Sequence, residues 1–182
     1  MNAVAVLGIG NTLRGDDGIG VHAVRQLLDA GGLPDADLYA GDPVPFDMLS
    51  ILLDHELVIV LQAGGGGRRS GTVYRTSPDA FDTSIAGPGS THGLGLPETV
   101  RCVRELGASP EVVVLAVQPQ HIGWSLQLSE TATEALPHLI DAVLREIGPP
   151  FARAGRAAME RADAHAATPQ APRIRVPSES LR

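Results

Sequence analysis

Apolar positions fall along this chain in two alternating patterns. Near-continuous runs of Ala, Val, Ile and Leu occupy residues 3–9, 57–63 and 111–118, and read as strands buried on both faces. Residues 36–40 and 71–76 read as shorter strands. Between them the apolar residues recur every three or four positions, the helix period. Val21, Val24, Leu27 and Leu28 share a face over residues 17–30, and Met48, Leu49, Leu52 and Leu53 over 45–54. Leu96, Val100, Val103 and Leu106 make a stripe over 96–107. Leu136, Leu139, Ile140, Val143, Leu144 and Ile147 do the same over 130–147.

Buried strands separated by amphipathic helices imply a largely parallel sheet covered on both sides, a three-layer α/β/α sandwich. Ligands of such sheets bind beyond the carboxyl ends of the strands. The segments after residues 3–9 and 57–63, and the one before the 96–107 helix, are therefore the places to look. The pattern stops at Gly148, and five prolines from Pro149 to Pro177 punctuate an Ala/Arg-rich stretch. The expected organisation is one α/β domain over residues 1–150 and a flexible basic tail over 151–182.

Charge supports that division. The net charge of −7 is an average, because residues 151–182 hold six arginines against three acids. An acidic body carries a basic tail, and the overall acidic charge argues against nucleic acid as a partner. The chain begins without a basic segment of signal-peptide type, and no apolar run reaches the roughly 20 residues of a membrane span. A soluble, cytoplasmic protein is expected; oligomeric state is not legible.

All 14 basic side chains are Arg, so neither a Schiff base nor a P-loop lysine is available. The single cysteine, Cys102, excludes an intramolecular disulfide and a multi-cysteine zinc site, and it reads as a small core residue of the 96–107 helix. Carboxylate and imidazole remain to carry any chemistry.

Three motifs stand at the expected ligand edge. The first is Gly8-Ile9-Gly10-Asn11-Thr12-Leu13-Arg14-Gly15-Asp16-Asp17-Gly18-Ile19-Gly20, between a strand and a helix. Asp16 or Asp17 suits a helix cap, and Asn11 can hold the turn through its side chain. A dinucleotide site is the alternative, but Leu13 stands where its third glycine belongs, and two acids would repel a pyrophosphate. The second motif is Gln62-Ala63 ending a strand, followed by a glycine-rich loop expected to be mobile. The third is Ser90-Thr91-His92-Gly93-Leu94-Gly95-Leu96, which is expected to bring an imidazole to the same edge, where with Asp17 it would suit a hard-to-borderline metal ion. His121 and Trp124 fall in a later loop and are candidates to line a substrate groove; His22 reads as a packing or surface residue.

Together these motifs resemble the nickel–iron hydrogenase maturation endopeptidases over about residues 4–147. The likeness continues through Leu106-Gly107-Ala108-Ser109-Pro110, Val117-Gln118-Pro119 and Leu128-Ser129. It implies a twisted five-stranded, mostly parallel sheet between helices. It also implies removal of a short carboxy-terminal extension from the hydrogenase large-subunit precursor after nickel insertion. The nickel belongs to the precursor; the enzyme keeps no permanent cofactor. The family's metal-contacting residues match Asp17, Gln62 and His92, with Asp17, His92 and Asp16 as catalytic candidates. The family has Asp where this chain has Gln62, which brings no charge and cannot act as a base. A relative that binds a precursor or partner protein without cleaving it is therefore the alternative.

Overall fold

A computed structural model describes residues 2–41, 45–81 and 95–148. The expected tail, 151–182, lies outside the described residues, as do Asp42-Pro43-Val44. In chain order the elements are β1 (Val4–Gly8), a 3-10 turn (Asp16–Gly18), α1 (Ile19–Asp29), β2 (Ala36–Ala40) and α2 (Pro45–Asp54). They continue with β3 (Leu57–Ala63), β4 (Val73–Thr76), a second 3-10 turn (Pro78–Ala80), α3 (Leu96–Glu105), β5 (Glu111–Val117) and α4 (Glu130–Ile147).

The five strands form one sheet in the order β2-β1-β3-β5-β4. All neighbours are parallel except β4, which runs antiparallel to β5 along one edge. Side chains alternate across the pleat, and each face has its own core. Ile59, Leu61, Val113, Leu115 and Val117 pack with α1 and α4 residues such as Val24, Leu27, Leu139, Ile140 and Val143. Val58, Val60, Val114 and Ala116 pack on the other face with Met48 and Leu52 of α2 and Leu96, Val100 and Val103 of α3. This is the three-layer sandwich expected from the pattern of runs and stripes.

The differences lie at helix margins. Leu28, Leu53 and Leu106 are exposed rather than on the buried faces. Leu28 stands beside the buried Leu27 near the end of α1, and Leu106 lies beyond the last turn of α3. Cys102 is exposed, not a core residue, because α3 turns Thr99, Val100 and Val103 inward and position 102 falls between them on the solvent side. His55, the buried residue after α2, bonds the Ile51 carbonyl at 2.8 Å through Nδ1 and the Asp37 carboxylate at 3.1 Å through Nε2.

Candidate active site

The carboxyl edge of the sheet is where α1 meets β1 and β3 most closely, and glycine makes that approach possible. A Cβ at Gly20 would stand 2.0 Å from the Leu61 carbonyl oxygen, and one at Gly8 would stand 2.2 Å from the Gly20 oxygen. Gly10, at φ +133°, would drive a Cβ to 1.8 Å from the Asp17 oxygen. These glycines are spacers between backbones, which accounts for the motif without a bound phosphate.

Ile9 N–H continues the ladder to the Leu61 carbonyl at 2.9 Å, and the chain then folds back over residues 10–17. Asn11 holds this loop as expected: its Oδ1 accepts from Leu13 N–H at 2.9 Å. Its own backbone N–H donates to Asp17 Oδ2 at 3.2 Å. That is the one hydrogen bond to the half-buried Asp17 carboxylate among the described residues, so Asp17 is presented at the edge with its other oxygen unpaired.

Asp16 behaves differently. It is 1% exposed, and four donors converge on it. Oδ2 accepts from Gln120 N–H at 2.8 Å, His121 N–H at 2.9 Å and the Ser129 hydroxyl at 2.8 Å. Oδ1 accepts from Ser129 N–H at 2.7 Å. Burial pushes the Asp16 carboxyl up, but the Ser129, His121 and Gln120 backbone donors and the Ser129 hydroxyl outweigh it and hold it below its ordinary value. Neither acid caps the helix that follows it in sequence, contrary to expectation. Asp16 instead sits against the amino terminus of α4, whose N-cap is Ser129 and whose dipole favours an anion there.

The segment 118–129 is thereby strapped to the Asp17 loop. Gly15 N–H donates to the Ser125 carbonyl at 2.8 Å, and Ser125 N–H returns a bond to Leu13 at 3.0 Å. His121 and Trp124 are exposed on this strap. The loop after β3 is also tied down rather than loose. Arg68 N–H donates to Gln118 Oε1 at 3.2 Å, Gly71 N–H to the Gln118 carbonyl at 2.8 Å, and the Tyr74 hydroxyl to the Gly65 carbonyl.

Gln62 is the penultimate residue of β3, the strand next to β1, so the topology brings it to the same edge as Asp17. It faces the α2/α3 side, in one row with Ala116 of β5 and Tyr74 of β4. Its Nε2 is buried and has no hydrogen-bond partner among the described residues. His92 lies outside the described residues; α3 begins four residues after it, at Leu96. Among the described residues no three His, Cys, Asp or Glu side chains group as a metal site. The strap through Asp16 was not legible beforehand, because its partners lie 104 to 113 residues away in sequence.

The same architecture occurs in known proteins. The chain is 28% identical over 152 residues to the hydrogenase 2 maturation protease of Escherichia coli, covering 80% of this chain and 92% of that one. The structure of the hydrogenase maturating endopeptidase HybD from E. coli superposes with a TM-score of 0.67 at 23% identity, over 81% of this chain and 92% of that one. The hydrogenase 2 maturation peptidase of a Thaumarchaeota archaeon superposes with a TM-score of 0.59 at 30% identity, over 81% and 99%. The profile of the HycI hydrogenase maturation proteases matches residues 21–146, most of the described domain, and the chain belongs to that family of peptidases.

Proposed function

We propose that this protein is a cytoplasmic endopeptidase that removes the carboxy-terminal extension of a nickel-loaded hydrogenase large-subunit precursor. The observation that carries the reading is the placement of Asp17 on a rigid loop at the carboxyl edge of the sheet, one strand from Gln62, within a maturation-protease fold. In this reading Asp17 and His92 contact the nickel, which is part of the substrate, and Gln62 lines the same site. Cleavage breaks one peptide bond and adds one water. Asp17 and His92 are the groups able to accept and return the proton, since an amide cannot. Asp16 acts by positioning, with both of its oxygens already bonded to the strap.

Incubation with nickel-loaded precursor is expected to yield a shortened large subunit by mass spectrometry. No shortening, with a relative active in parallel, refutes the activity. The binding-only alternative rests on the missing charge at Gln62; it predicts stable capture of the precursor with its extension intact.

A further inference from the structure

Gln62 Nε2 is a buried donor with no acceptor among the described residues. Folded proteins pair nearly all such groups, so an orphan at a candidate site points to a missing partner. The neighbouring side chains in its row explain why none is at hand. Ala116 is apolar and fully buried. On the far side of Ala116, the Tyr74 hydroxyl is turned to the Gly65 carbonyl. An amide N–H has no lone pair for a cation, and what it takes is an oxygen acceptor. The backbone carbonyls of a peptide substrate laid along the carboxyl edge of the sheet are acceptors of that kind.

Resting on the function proposed above, we infer that Gln62 is a substrate-contacting residue whose side-chain N–H donates to a backbone carbonyl oxygen of the precursor's cleavage segment. It does not serve as a metal ligand. The donor is left unpaired in the free protein and becomes paired when the precursor binds. Position 62 therefore costs the free fold something that binding recovers.

Two near-isosteric variants test this. Gln62→Met removes the orphan donor. It is expected to raise the Tm of the free protein by about 2–4 °C and to lower kcat/KM on the nickel-loaded precursor about 10- to 100-fold. Gln62→Glu keeps an acceptor but removes the donor, and cleavage is expected to fall as well. A merely structural glutamine would lose stability and activity together in Gln62→Met. Faster cleavage by Gln62→Glu would mark the position as a metal ligand, and unchanged cleavage by Gln62→Met would mark it as inert; either overturns the inference. If the wild-type protein captures the precursor without cleaving it, the same comparison is read on Kd, expected to rise about tenfold in both variants. If it neither captures nor cleaves, the proposed function fails and this inference with it, whereas wild-type cleavage with indifferent variants sinks the inference alone.

Discussion

Asp16→Asn isolates the contact that joins the Asp17 loop to the segment 118–129, because it keeps the volume and removes the charge. The carboxylate accepts from three backbone N–H groups and one hydroxyl. Asparagine has one acceptor oxygen. If it takes the three donors that Oδ2 serves, its own NH2 faces Ser129 N–H, donor against donor. One charge-assisted bond is lost, a buried donor is left unpaired, and the remaining bonds lose the charge that strengthened them. Hydrogen bonds to charged groups contribute about 1.5–3 kcal/mol each and an orphaned donor costs about 1–3, without simple additivity. A net loss of about 2–4 kcal/mol follows, which for a domain of this size lowers Tm by about 5–15 °C. Thermal unfolding followed by circular dichroism measures it, with the exposed Asp29→Asn as control, expected to stay within about 0.5 kcal/mol of wild type. A Tm for Asp16→Asn within about 2 °C of that control would refute the argument.

The same contact sets an acid limit. The Asp16 carboxyl is held below its ordinary value in the folded state. A depressed carboxyl contributes stability that is fully present above its unfolded pKa, near 3.9, and is lost as pH falls through the folded value. Wild type should therefore lose stability more steeply below about pH 4 than Asp16→Asn does. Parallel acid limbs would show that the carboxylate is not the titrating group.

Other sites give sharper, simpler outcomes. Gly20→Ala should cost about 3 kcal/mol in urea unfolding, because its Cβ meets two backbone oxygens, Leu61 at 2.0 Å and Ile9 at 2.7 Å, that the sheet holds in place; an unchanged midpoint would mean α1 can slide outward. Pro137→Ala should stabilise by about 1–3 kcal/mol, since this exposed residue interrupts α4 and the replacement restores an N–H to its ladder; a lower Tm would show that the proline serves a packing role. Trp124 is 86% exposed on the strap, so Trp124→Ala should leave Tm unchanged. The same variant should raise KM for the precursor about fivefold or more; an unaltered KM would remove the strap from the substrate path.

The fold was legible where periodicity had enough residues to act on. β2, α2, β3 and α4 begin and end where their apolar patterns do, because two-sided burial demands unbroken runs and one-sided burial demands a stripe. Leu28, Leu53, Cys102 and Leu106 show where that signal thins, at the carboxyl ends of α1, α2 and α3, where one more residue rotates a side chain from core to solvent. That Asp17 and Gln62 would share one edge was legible for a topological reason: a parallel sheet delivers the loop after β1 and the end of β3 to the same end. The inner logic of the site was not, because Asp16 and Asp17 are chemically identical neighbours until the fold distinguishes them. Gln120, His121 and Ser129 reach Asp16 from more than a hundred residues away and bury it as a brace. Asp17 keeps one local bond, from Asn11, and remains at the edge. The pair divides its work: the first acid holds the loop from within, and that bracing fixes where the second stands at the carboxyl edge of the sheet.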